Sequence, residues 1–284
     1  MPDHTLGDND LIRTCPLDNG RHVVNPVRDL GRLSILPLEI LTDIILCLDI
    51  LSLTVFRRVN NRGMQVVDSI PQYQIIFRYC PDILRGIIST GATYFDLRTL
   101  FKSLCDSRCR TCGDFGGYLY LITCLRVCHT CFTENKLFLP VKGIQASIIT
   151  TRSRKELKKQ PHIQGVRGRY ADNGQLCRDR LTLWDREAVQ AVQTTTSVRE
   201  KSDRFCNDPR RFMAIVTAPY LELPCTVARW GLYCFGCSES TERETYFRKQ
   251  YTKQDFVAHI VRYGPVVIGR AEDRPRHSPW GKPG

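Results

Sequence analysis

The chain has 284 residues, 42% hydrophobic and 25% charged, which gives enough apolar material for a genuine core and room for one large or two small domains. With 41 Lys and Arg against 29 Asp and Glu, the formal net charge is +12. No basic n-region precedes a continuous apolar run, and the most apolar segment, Ile40 to Phe56, is broken by Asp43 and Asp49. That pattern speaks against a signal peptide and against a membrane span. An intracellular location, cytoplasmic, nuclear or both, is therefore expected, where the 14 cysteines are metal ligands or reduced core thiols rather than a disulfide framework.

Residues 1–32 are polar, contain Pro16 and Pro26 and show no apolar period, so a disordered leader is expected there. Residues 33–75 hold three short helices. Pro37 suits a first helical position, and Ile40, Leu41, Ile44, Ile45 and Leu48 recur on one helical face. Leu53, Phe56 and Val59 continue at three-residue spacing, and Met64, Val67 and Ile70 repeat it after Asn60 and Asn61. Helices this short must pack on one another or on a partner. Linking helices follow over 76–104.

Residues 105–140 carry one phrase twice: Cys105, Cys109, Cys112 and then Cys124, Cys128, Cys131. The inner pairs read C-x2-C-x15-C-x2-C, a spacing that suits a structural zinc site made by Cys109, Cys112, Cys128 and Cys131. Gly113 can supply the positive φ of a tight knuckle, and Tyr118 to Ile122 reads as a strand of a hairpin. Disulfides or buried free thiols are the alternatives. Cys105 and Cys124 remain over; they can share a second ion, replace an inner ligand or lie in the core, and the core is the default. Four thiolates leave no open position, so the site is a staple and no metal catalysis is expected. His129, between two ligands, can compete for metal, but an exposed place on the knuckle is the expectation. Asp114-Phe115-Gly116 imitates a kinase triplet without a phosphate loop, and reads as a turn.

The basic linker, 141–210, opens its charge excess with Arg152, Arg154, Lys155, Lys158 and Lys159. Without a recognition-helix pattern or interleaved aromatics, a solvated face is favoured over a nucleic-acid surface. Asp172-Asn173-Gly174 marks a hairpin tip between arginine-bearing strands, followed by a strand ending at Trp184 and a helix from about Arg186. In the C-terminal region, 211–268, a strand-like run Arg211 to Pro219 precedes Cys234 and Cys237, and His259 lies on the expected helix Lys253 to Tyr263. Cys-x2-Cys-x21-His is a finger one ligand short. A distant Cys206 or Cys225 can complete it; otherwise it is a degenerate finger held by ordinary packing. The tail, 269–284, is proline-rich, charged and expected to be disordered. No catalytic motif stands out.

Leu36-Pro37-x-Glu39-Ile40, the later Leu53, and Val59-Asn60 with Pro71 and Tyr73 resemble an F-box domain. Their conjunction with PDILRGIISTGA and the doubled cysteine block extends the resemblance, across nearly the whole chain, to fungal F-box proteins. The resemblance implies a non-catalytic receptor, docking on the Skp-type adaptor of a cullin-RING ubiquitin ligase and recruiting a target through its C-terminal part. Carried over, Leu36, Pro37, Ile40, Leu53 and Val59 sit at or near the adaptor surface. The positive charge suits an acidic or phosphorylated target. A zinc-dependent nucleic-acid-binding regulator and a non-ligase scaffold are the alternatives. The expected fold is α+β: a helical F-box, further helices, a zinc-stapled hairpin region and a small mixed C-terminal region.

Overall fold

Helix follows helix from Leu38 to Cys105, and capping side chains or prolines set most of the boundaries. Asp49 Oδ1 accepts from the backbone N–H of Leu51 and Ser52, Asn60 Oδ1 from Gly63 and Asp96 Oδ1 from Thr99. These caps start the helices Ile50–Arg57, Asn61–Asp68 and Leu97–Cys105. Pro71 and Pro81 open Pro71–Tyr79 and Pro81–Thr90 where a missing N–H costs nothing. Pro37 instead caps Leu38–Leu46 from one residue outside. This computed structural model describes residues 3–18, 28–143, 145–146, 154–192, 207–223, 227–268 and 274–278.

Beyond Cys105 the chain turns to short antiparallel pieces, giving the expected mixed α+β architecture. Strand Tyr118–Tyr120 lies at the centre of a three-stranded sheet, paired with Leu125–Val127 (Tyr118 opposite Val127) and with Ile215–Thr217 (Tyr118 opposite Thr217). A second sheet runs Val141–Lys142, Thr182–Trp184, His162–Gln164. Four two-stranded antiparallel sheets complete the described strands, among them the hairpin Gly168–Tyr170 with Gln175–Cys177, whose tip is the expected Asp-Asn-Gly turn with Gly174 at φ +62°. One continuous core joins helices and sheet: Ile45, Leu53, Ile76, Ile87 and Leu104 pack in the same cluster as Tyr118, Phe132 and Ile215. None of the described helices is long and apolar enough to cross a membrane.

Four expectations need correction. The leader is not without structure in its described part: Leu6 and Leu11 are buried at 0% and 2% exposure, and Thr5 with Asp8 forms a capping box. Their partners lie far away in sequence, so no local period announces them. Ile40, Leu41, Ile44 and Ile45 do not share one inward face. Leu41 and Ile45 are buried while Ile40 and Ile44 are 48% and 44% exposed. The Arg211 to Pro219 run is half helix, Pro209–Met213, before its strand begins at Ile215. In the tail, Arg276–His277 forms a strand against Val266–Val267.

Part of the positive charge is spent inside the fold. Arg211, only 1% exposed, donates from Nη1 to the carbonyls of Phe132 (2.8 Å) and Asn135 (2.6 Å). Arg186 Nε donates to Leu139 O at 3.0 Å, and Arg210 Nη1 to Pro140 O at 3.1 Å. These three buried arginines donate to carbonyls of the segment leaving the cysteine block, among which Asn135 O also accepts from Phe138 N–H at 3.2 Å. Arg167, Arg169, Arg178 and Arg180 remain exposed. Arg152 lies outside the described residues.

Candidate metal centres

The first centre is assembled by two knuckles on either side of a hairpin. Helix Leu97–Cys105 delivers the chain to Cys109, whose N–H donates to Asp114 O at 2.6 Å while Gly113 N–H returns to Cys109 O at 3.0 Å. Gly113 takes φ +78°, the left-handed conformation that the turn requires. Arg110 N–H then donates to Arg126 O at 2.9 Å, fixing this knuckle to the outgoing strand. The hairpin Tyr118–Val127 brings Cys128 back to cap helix His129–Glu134, its Sγ accepting from Cys131 N–H at 3.4 Å.

The four Sγ atoms all lie within 4.8 Å of one another, with Cys112 and Cys128 3.6 Å apart. Zn–S bonds of about 2.3 Å in a tetrahedron place sulfurs about 3.8 Å apart, so the shell fits such an ion. Contact with Cys128 and Cys131 holds the Cys109 thiol below its ordinary value, whereas Cys109 pushes Cys128 up and Cys131 up to about 12. Four sulfurs this close carry their charges together only when a cation neutralises them.

Cys105 and Cys124 stand outside this group. Cys124 is buried, at φ +58° in the hairpin turn, its carbonyl accepting from Ser103 Oγ at 2.8 Å; burial pushes its thiol up to about 12. Cys105 is half-buried at its helix end. Both fit the core reading. His129 is not exposed on the knuckle as expected: it is 3% exposed, and its Nε2 lies 3.0 Å from Arg248 Nη1. Burial, reinforced by Arg248, lowers it to about 3, so it stays neutral. Asp114-Phe115-Gly116 is not the expected turn: Phe115, buried, forms an antiparallel bridge with Arg108, and Asp114 pairs with Lys249 at 3.2 Å.

The second cluster is Cys234, Cys237, His259 and His277, again with all ligand atoms within 4.8 Å. The cysteines bracket the tight turn Phe235–Cys237. His259 projects from Lys253–Tyr263, a helix started by Thr252 Oγ1 accepting from Asp255 N–H at 3.1 Å. Burial, then the nearby His277 and Lys249, lower His259 to about 4, keeping its imidazole neutral; burial also pushes Cys237 up to about 12. Sequence reasoning found three members and missed His277, in a tail read as disordered. The available signal was a three-ligand finger with a histidine 18 positions further on. Cys206 and Cys225, the distant candidates, lie outside the described residues.

The two centres are packed together. Arg108, beside Cys109, pairs with Asp255 at 2.8 Å, and Gly231 lies so close to Phe115 that an added Cβ would come within 2.6 Å of the ring.

Of the residues carried over to an adaptor surface, Pro37, Ile40 and Val59 are exposed and Leu36 is half-buried. Leu53 is not at the surface at all: its exposure is 0%. Exposed apolar residues that sequence reasoning did not single out are Ile35 (84%), Leu38 (59%) and Val55 (67%); Ile44, placed with Ile40 on one helical face, is exposed as well. They are carried by Gly31–Ile35, Leu38–Leu46 and Ile50–Arg57, with Val59 just beyond the last.

No protein-family model matches the chain, and no curated protein or solved structure is similar to it.

Proposed function

We propose that the chain is an F-box substrate receptor: its first helices dock on a Skp-type adaptor in a cullin-RING ubiquitin ligase, and its C-terminal part recruits a target protein. The observation that carries this reading is that the apolar side chains Ile35, Leu38, Ile40, Ile44, Val55 and Val59 are left exposed while Leu41, Ile45 and Leu53 fill the core. A two-sided helix of this kind spends one apolar face on its own fold and offers the other to a partner; each side chain so buried is worth roughly 1.5 to 3 kcal/mol. The first centre binds structural zinc through Cys109, Cys112, Cys128 and Cys131, which anchors the hairpin on which the central sheet is built. Four protein ligands leave no position for a substrate on that ion, which suits a structural role in a non-catalytic receptor. The exposed Arg167, Arg169 and Arg178 suit an acidic or phosphorylated target.

Affinity capture of the full chain from a fungal extract, beside an Ile40→Glu, Ile44→Glu variant, tests the reading. Adaptor and cullin accompany the native chain and are lost from the variant; a folded native chain that captures neither refutes it.

A further inference from the structure

We propose that Cys234, Cys237, His259 and His277 bind one tetrahedral Zn2+, and that this ion fastens the strand pair Val266–Val267 and Arg276–His277 to helix Lys253–Tyr263. The inference stands apart from the receptor reading, since it rests on another part of the molecule.

Geometry is the first argument. His277 Nε2 lies 3.3 Å from Cys234 Sγ, 3.3 Å from Cys237 Sγ and 3.1 Å from His259 Nε2, and His259 Nε2 lies 3.4 Å from Cys237 Sγ. Zn–S bonds of about 2.3 Å and Zn–N bonds of about 2.0 to 2.1 Å give tetrahedral edges of about 3.6 Å for S to N and about 3.3 Å for N to N. The observed edges are within a few tenths of these.

The tautomer is the second. His277 Nδ1 is 2.7 Å from Gly264 O, an atom that only accepts, so Nδ1 carries the proton and Nε2 presents a bare lone pair. That lone pair faces three groups at once, the two sulfurs and His259 Nε2. One lone pair cannot serve three donors, whereas a cation at their common centre binds all four atoms. A backbone carbonyl orienting the far nitrogen of a ligating histidine is the usual second layer of a metal site.

Charge and burial are the third. Cys234 and Cys237 are 4% exposed and His259 is 5% exposed. On binding, each thiol releases its proton to solvent, and two thiolates with two neutral imidazoles around Zn2+ sum to zero charge. The buried site then needs no further counter-ion.

Apolar packing is too thin to do this work. The local cluster consists of the two cysteines and Tyr251, flanked by Phe256, Ile260 and Val266, while Phe235 and Ile268 are 75% and 80% exposed. A two-stranded antiparallel pair with two residues in each strand is marginal in water without such a fastening.

The test uses the full chain loaded with Zn2+ or Co2+ alone, read by native mass spectrometry, Co2+ absorption and hydrogen exchange over 264–278. Two ions per native chain, one in His277→Ala and two again in His277→Cys are expected. Exchange over 264–278 rises at least tenfold in His277→Ala. The Co2+ spectrum shows a mixed sulfur and nitrogen component that disappears in the same variant. A native chain with only the all-sulfur spectrum overturns the proposal, as do two ions retained by His277→Ala or unchanged exchange in it. If His277→Ala does not fold, the native Co2+ spectrum decides alone. Loss of the all-sulfur component with the mixed one intact counts against the first centre only.

Discussion

Arg248 Nη1 lies 2.8 Å from Asp3 Oδ1, although 245 positions separate them in the chain. The same guanidinium nitrogen reaches Asp172 at 3.0 Å and His129 Nε2 at 3.0 Å, and Tyr118 Oη donates to Asp3. The first residues therefore join the cysteine block, the Asp-Asn-Gly hairpin and the C-terminal region at one point. Leu6, behind Asp3, is completely buried in the main core. Leu6→Ala should cost about 2 to 5 kcal/mol, the range for truncating a buried leucine. Urea denaturation of the metal-loaded chain measures it; a loss below about 0.5 kcal/mol would mean the N-terminal segment does not belong to the core.

Arg211 should behave as a structural residue despite its charge. Its Nη1 serves two carbonyls; removing it orphans Phe132 O in the interior, whereas Asn135 O keeps the Phe138 N–H at 3.2 Å. Arg211→Met should destabilise by about 1 to 3 kcal/mol, the cost of one unsatisfied buried group. A solvated basic face predicts no loss in the same denaturation experiment.

The two faces of the first helices should separate cleanly. Leu53→Ala opens a cavity in the core and should cost about 2 to 5 kcal/mol, whereas Ile40→Glu and Ile44→Glu, already exposed, should each stay within about 0.5 kcal/mol of the native chain. Thermal unfolding of the three variants side by side distinguishes them. Equal losses would contradict the assignment of faces.

Asp255 links the centres in a pH-dependent way. Burial acts to raise its carboxyl, but hydrogen bonds from Thr252 and Arg108, with the charge of Arg108, outweigh it and hold the group below its usual 3.8. A depressed carboxyl contributes stability above the unfolded value of 3.8, lost as pH falls through the still lower folded value. Because Arg108 and Asp255 are largely solvated, the coupling in an Arg108→Ala, Asp255→Asn cycle should be only about 0.2 to 1 kcal/mol at pH 7. It should vanish below the folded value. A coupling that grows on acidification would reverse the sign of the argument.

Chelation should act on the hairpin before it acts on the helices. Removing metal from the first centre leaves four crowded thiols around Cys109, and amide exchange over Tyr118–Val127 should rise well before that of Leu97–Cys105. Simultaneous loss of both would show that the centre holds the whole fold.

The first centre was legible because its ligands obey local spacing, and local spacing is what a knuckle needs. His259 could be placed because it follows the Cys-x2-Cys pair at the interval of a finger, on an expected helix. His277 could not, since a two-residue strand in a charged, proline-rich tail leaves no periodic trace. Leu53 and Ile40 were confused for a different reason. Periodicity tells which residues share a face, but a helix apolar on both sides does not say which face turns inward. Leu6 and Leu11 were missed because two isolated leucines among polar residues carry no pattern until the core that receives them is known.

The most direct test of the receptor account is a calorimetric titration of purified Skp-type adaptor into the folded, zinc-loaded full chain. Saturable one-to-one binding is predicted, with a Kd of about 1 μM or tighter, near −8 kcal/mol, weakened at least tenfold by Ile40→Glu with Ile44→Glu. No binding by the folded chain, or binding that the double variant leaves unchanged, would contradict it.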